Sequence, residues 1–172
     1  MATTAERYSN CCVREASRSG GGSVMVWGGI SWRYRTPLVV IEGNLTARRY
    51  IDEVLQPVVV PFLRNHVDVM LFQQDNARLH SARLTRYFLE NNNTHVLPWS
   101  AFSPDLSHIE HLWDLGRRVF DGRRHIHNQQ QLIEVLNREF EAISQYRNQR
   151  LIRRMRHRCL ATIAVNGGHT RY

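Results

Sequence analysis

The order of apolar runs constrains this chain most. Two short β-branched and aromatic runs, Ser23 to Trp32 (SVMVWGGISW) and Pro37 to Glu42 (PLVVIE), are separated only by Arg33 to Thr36. That spacing predicts an antiparallel hairpin. Downstream of it, helix-like and strand-like patterns alternate. Thr46 can cap a helix carrying Ile51, Val54 and Leu55 on one face, and Pro57 and Pro61 are expected to break or bend it. Val67 to Gln73 (VDVMLFQ) reads as a buried strand, Ser81 to Asn91 as a helix with Leu84, Tyr87 and Phe88 inward, and His95 to Leu97 as a short strand. A helix is expected from near Asp105–Ser107 with Ile109, Leu112 and Trp113 inward. Another, capped by Asn128, carries Leu132, Ile133, Val135, Leu136 and Phe140, and a last Arg-rich helix spans Arg147 to Ile163. A hairpin leading into this alternation predicts an α/β fold with a mixed sheet flanked by helices.

The 172 residues suit one domain, with residues 1–19 polar and without a clean period and the folded part running from 20 to 172. At 42% hydrophobic and 22% charged residues, the composition is globular rather than disordered. No run approaches a membrane span, and the N-terminus lacks the apolar core of a signal peptide. Three cysteines, Cys11, Cys12 and Cys159, offer neither a disulfide framework nor zinc spacing.

The net charge of +8 is carried entirely by arginine on the basic side, because the chain has no lysine. It is also uneven. Between Arg117 and Arg158, eleven Arg stand against Asp121, Glu134, Glu139 and Glu141, a surplus of +7. Guanidinium pairs with phosphate through two parallel hydrogen bonds, so a polyanion is the expected partner. In the last helix Arg147, Arg150, Arg153, Arg154, Arg156 and Arg158 share the chain with Leu151, Ile152, Met155, Leu160 and Ile163 at helical spacing. That predicts an amphipathic helix whose cationic face is either simply solvated or laid against a DNA backbone.

Two carboxylates stand out. Asp75 comes just after an apolar strand, at the edge where α/β sheets bind ligands. Glu110 belongs to the helix that begins after Ser103-Pro104-Asp105-Leu106, beside the inward Ile109 and Trp113. Hard oxygen ligands placed on a strand end and a facing helix can hold divalent metal for phosphodiester chemistry, with a third ligand normally needed.

Several segments together resemble one family. They are Gly20-Gly21-Gly22-Ser23-Val24-Met25-Val26-Trp27-Gly28-Gly29, Phe72-Gln73-Gln74-Asp75-Asn76-Ala77-Arg78-Leu79-His80, and Trp99 with Ser103-Pro104-Asp105-Leu106-Ser107-His108-Ile109-Glu110-His111-Leu112-Trp113-Asp114. The chain is similar to the DDE catalytic domain of Tc/mariner transposases from about Glu6 onward, and its end, Gly167-Gly168-His169-Thr170-Arg171-Tyr172, is similar to the Tc-like branch. The 34 residues between Asp75 and Glu110 match the Asp-Asp-34-Glu pattern of that branch.

The resemblance implies an RNase H-like fold, with Asp75 and Glu110 as the second and third catalytic carboxylates and as ligands of Mg²⁺ or Mn²⁺ in a two-metal site. It further implies cutting of transposon ends in double-stranded DNA, joining of the 3′-hydroxyl to a TA target, and work in the nucleus, and it allows a homodimer. Phosphates would be held by Arg117, Arg118, Arg123 and Arg124 together with Arg147, Arg150, Arg153, Arg154, Arg156 and Arg158. His80 matches the family's Asp-Asn-Ala-x-x-His motif and reads as a helix-start residue rather than a metal ligand.

Three departures shape the expectation. Upstream of Gly20 the only carboxylates are Glu6 and Glu15, so the first catalytic Asp and its central strand are expected to be missing, along with the helix-turn-helix domains. Ser107-His108 stands where the family has Asn-Pro, which leaves a cap but loosens the helix start. Trp113-Asp114-Leu115 is one residue short of the family's Trp-Asp-Glu-Leu, which rotates the downstream residues by about 100°. The chain therefore reads as a truncated catalytic domain, inactive alone. The competing readings are an Arg-rich DNA-binding module without catalysis and an element remnant that does not fold.

Overall fold

The computed structural model of the chain describes residues 12–16, 23–100, 103, 106–113 and 128–165. Three strands form an antiparallel sheet in the order β1-β2-β3, with β1 at Cys12–Ala16, β2 at Ser23–Trp27 and β3 at Val39–Ile41. The expected hairpin is β2–β3, with Met25 opposite Ile41 and Trp27 opposite Val39. Its tip is tied by Gly29 N–H donating to Thr36 Oγ1 at 2.8 Å, and by Thr36 N–H donating to Gly29 O at 2.9 Å.

β1 is a departure from the sequence reading, which expected no strand ahead of Gly20. It pairs with β2 so that Val13 lies opposite Val26 and Glu15 opposite Val24. Cys-Val-Arg-Glu-Ala has no two-residue hydrophobic alternation, so only pairing with β2's backbone makes it a strand.

The alternation of β2 sorts the core into two layers. Val24 and Val26 face Ile109, Leu112 and Trp113 together with Leu132, Leu136 and Phe140. Trp27, with Ile41 of β3, packs on the other layer against Tyr50, Ile51, Val54, Leu55, Val59 and Leu89. Gly28 lies where the first layer closes on the sheet. A Cβ there would come within 3.0 Å of Phe140 Cζ and 3.4 Å of Trp113 Cη2.

Thr46 caps the first helix, α1, as expected: its hydroxyl accepts from Arg49 N–H at 3.3 Å. Neither proline stops α1. It runs through Ala47–Tyr50, a π-helical stretch Ile51–Val59 and a last segment Val60–Asn65. Pro57 sits inside the π-helical stretch, where the wider turn carries the preceding carbonyls away from the pyrrolidine ring. Pro61 lies two residues beyond that stretch, inside the continuing helix.

The predicted strands at Val67 to Gln73 and His95 to Leu97 are reduced to one parallel bridge, Phe72 with Val96. Phe72 N–H donates to His95 O and Leu97 N–H to Phe72 O, both at 2.8 Å. Val67 and Met70 are 86% and 77% exposed, so the run is not buried as expected. Among the described residues no second strand flanks Phe72, and a continuous apolar run is buried only where both sides are covered.

Two short helices come next, α2 at Arg78–Ser81 and α3 at Arg83–Asn91. The inward residues of α3 are Thr85 and Leu89, with Phe88 beside them, while Leu84 and Tyr87 face solvent. Thr85 turns inward because its hydroxyl donates to Leu79 O at 2.6 Å, which rotates the helix away from the face that apolarity alone predicts. Helical residues 108–113 are α4.

The capped helix is α5, Gln129–Ala142, in which Asn128 Oδ1 accepts from Gln131 N–H at 2.8 Å. The single helix expected over Arg147 to Ile163 is two, α6 at Gln145–Arg153 and α7 at Met155–Ala164, joined at Arg154. The apolar face expected for it is inverted in α7. Arg158 is 3% exposed while Ile163 is 70% exposed, and Leu160 also faces out.

Candidate active site around Asp75

Asp75, 9% exposed, stands two residues beyond Gln73, just after the bridged Phe72. Its Oδ1 accepts from Ala77 N–H at 2.9 Å and contacts His80 Nδ1 at 2.5 Å. Asn76 turns the other way, and its Nδ2 donates to Trp99 O at 2.9 Å, tying this loop to the one that carries Trp99. Ala77 O accepts from the N–H groups of His80 and Ser81, both at 2.9 Å, which starts α2. Every named part of Asp-Asn-Ala-x-x-His thus has a role: a turn closed by the carboxylate, a tether to the distant Trp99 loop, and one helical turn that brings His80 back to Asp75.

The buried side of this loop is also polar. His80 is 1% exposed, and its ring lies 4.8 Å from that of Tyr50, whose hydroxyl donates to Gln74 Oε1 at 3.0 Å. The outer side opens on a groove of about 590 Å³ that Asp75 and His80 line together with Arg86, His95 and Trp99. His80 is in the starting turn of a helix, as expected. Its contact with Asp75 was not anticipated, although the five-residue spacing across a tight turn is a signal for it. The Tyr50–Gln74 pair has no such signal, since 24 residues separate the two.

Glu110 is partly buried on α4, between the inward Ile109 and Leu112, with Oε1 shielded from solvent. The start of α4 differs from expectation. Ser107 is fully buried, and among the described residues its hydroxyl has no hydrogen-bond partner, so it does not cap. Burial, with Arg158 and then His111 adding repulsion, pushes the neighbouring His108 imidazole down to about 4. Arg158 of α7 has therefore been drawn inward beside α4.

The arginines divide by position. Arg147, Arg150, Arg154 and Arg156 are exposed on α6, α7 and their joint, and Arg153 is exposed but sits 5.2 Å over the Trp32 ring. Arg158 belongs to the interior. Arg117, Arg118, Arg123 and Arg124 lie outside the described residues, as does the start of the predicted helix at 104–105.

The oxygen donors of Asp75 and Glu110 suit Mg²⁺ or Mn²⁺ in kind. Among the described residues, however, no group of three or more His, Cys, Asp and Glu side chains is arranged to hold a metal. No helix among them is long and apolar enough to cross a membrane.

Residues 6–133 match the DDE superfamily endonuclease family. The chain is 34% identical over 167 residues to the transposable element Tc1 transposase of Caenorhabditis elegans, covering 96% of this chain and 60% of that protein. It is 32% identical over 156 residues to the Tcb2 transposase of Caenorhabditis briggsae, covering 90% of this chain and 56% of that one. The fold matches the Mos1 transposase catalytic domain solved with raltegravir and Mg, at a TM-score of 0.80 and 22% identity, over 92% of this chain and 82% of the other. The chain belongs to the DDE superfamily endonucleases and, within them, to the Tc1/mariner transposases as a catalytic domain with an RNase H-like fold. It spans about 60% of the length of the Tc1 relative.

Proposed function

We propose that this domain serves DNA transposition in the nucleus, acting on double-stranded transposon ends and a TA target. The observation that carries the reading is Asp75, held by its own turn at the mouth of a groove. Asp75 and Glu110 would hold Mg²⁺ or Mn²⁺, which when bound would activate a water or sugar hydroxyl and stabilise the leaving oxygen of a phosphodiester. The chain's own contribution is to present the Asp75 carboxylate in one orientation and to fix Glu110 on a helix anchored by Ile109, Leu112 and Trp113. The exposed arginines of α6 and α7 offer phosphate contacts that position the duplex without reading its bases. Mos1 has been solved in a paired-end complex with Mn, which supports transposon-end DNA as the partner, and a homodimer is part of the same proposal.

We further propose that these 172 residues do not cleave DNA alone, because Asp75 and Glu110 supply two carboxylates where the family uses three. A nicking assay with Mn²⁺ on a terminal-repeat duplex tests both claims. The expected result is binding without strand cleavage. Cleavage that Asp75→Ala abolishes would overturn the incompleteness, and absence of any duplex binding would overturn the DNA reading. An Arg-rich binding module without catalysis is favoured over a transposase domain if Asp75→Ala and Glu110→Ala leave both Mn²⁺ and DNA binding unchanged.

A further inference from the structure

We infer that His80 is a positioning residue for Asp75: its buried ring donates Nδ1–H to Oδ1 and holds the carboxylate in one orientation, in which it would serve as a ligand to a divalent metal. The inference rests on the reading of Asp75 as a metal-binding carboxylate, and deepens it. Two donors converge on one oxygen, the Ala77 N–H at 2.9 Å and His80 Nδ1 at 2.5 Å. The backbone donor alone fixes where Oδ1 sits but leaves the carboxylate plane able to swing about it. A second donor from a different direction removes that freedom.

The ring itself is closely surrounded. His80 is 1% exposed, its ring tilted against that of Tyr50, and carried by a helical turn whose first hydrogen bonds are accepted by Ala77 O. Tyr50 is in turn held by Gln74, the residue before Asp75. The chain of contacts therefore returns to the loop it steadies. Thr85 closes the same unit from α3 by donating to Leu79 O, next to His80. A buried imidazole that spends its Nδ1 on a neighbouring carboxylate is placed behind that carboxylate, as second-tier partners of metal ligands generally are. His80 is thus distinguished from a ligand, and the motif's histidine acquires a function that its sequence position does not disclose.

Mn²⁺ titration monitored by electron paramagnetic resonance, on the whole chain, tests the role without relying on turnover. His80→Leu keeps an apolar group of similar bulk but no donor, and about tenfold weaker Mn²⁺ binding is expected for one lost hydrogen bond to a charged acceptor. His80→Asn places an amide N–H where Nδ1 stood and is expected to restore affinity to within about threefold of the parent chain. Thermal melts of both variants accompany the titration. Asp75→Asn separates the two layers of the argument. If it abolishes Mn²⁺ binding while His80→Leu binds as the parent does, His80 has no positioning role and the metal reading stands. If Asp75→Asn leaves Mn²⁺ binding intact, the metal reading fails and the role of His80 falls with it.

A second measurement holds even if His80→Leu does not fold. In ¹⁵N-resolved NMR of the parent chain, the His80 ring proton is expected on Nδ1, protected from exchange and downfield of the amides, and shifted upfield by Asp75→Asn. A ring protonated on Nε2 alone, or a resonance indifferent to Asp75→Asn, overturns the inference.

Discussion

Asp75, Ala77 and His80 form a unit because a carboxylate can reach the N–H two residues on, and one helical turn returns the fifth residue to its side. His108 is the opposite case, a residue defined by what surrounds it. Its imidazole is pushed down to about 4 by burial, Arg158 and His111, whereas an unfolded chain would titrate it near 6.5. Between those values the unfolded state binds more protons, so stability rises with pH from about 4 to 6.5 and is lost as pH falls through that window. The single group is worth about 3 kcal/mol across it. Urea melts at pH 7 and pH 4.5 are expected to differ by less in His108→Gln than in the parent chain, and equal differences would refute the assignment. The nearby Ser107 hydroxyl illustrates the limit of reading caps from residue type. Serine is a good cap in general, but here it is sealed inside the fold and its hydroxyl makes no hydrogen bond among the described residues.

At the scale of elements, ends and faces behave differently. The starts of α1 and α5 were legible, since Thr46 and Asn128 act through atoms within three residues. The far end of α5 was not. Its last carbonyls are gathered by Arg35, 105 or more residues away, with Nη1 on Phe140 O at 3.0 Å and on Ile143 O at 2.5 Å, and Nη2 on Glu141 O at 2.6 Å. A guanidinium there satisfies orphan carbonyls and opposes the negative end of the helix dipole. Arg35→Met is expected to cost about 1.5–3 kcal/mol in a urea melt. A cost no larger than that of an exposed surface substitution would mean these bonds contribute nothing net. Helix faces were legible where an apolar stripe meets an apolar layer, as in α5, and misleading in α3 and α7. There a single polar contact, Thr85 to Leu79 or Arg158 beside α4, sets the rotation instead.

For the whole molecule, the division of the arginines has a measurable consequence. Arg147, Arg150, Arg154 and Arg156 are exposed, so replacing each with Gln is expected to weaken duplex binding for all sequences alike and to reduce the salt slope by about 0.9 per lost phosphate contact. Arg158→Met is expected to lower the melting temperature and leave that slope unchanged, because a buried guanidinium supports packing rather than DNA. A slope that falls with Arg158→Met as it does with Arg154→Gln would contradict this division. Fluorescence anisotropy across about 50 to 200 mM salt reads both.

The amino-acid sequence by itself determined the hairpin, the caps Thr46 and Asn128 and the turn that begins at Asp75. All of these depend on neighbours a few residues apart, or on a short period repeated along one element. Only the tertiary structure decided that Cys12–Ala16 is a strand, that Val67, Met70 and Leu71 lie open, that Arg158 goes inward while Ile163 faces out, and that Tyr50 packs against His80. The physical reason is that burial and strand pairing belong to whatever element packs across a surface, and a local pattern reports a face without naming its partner.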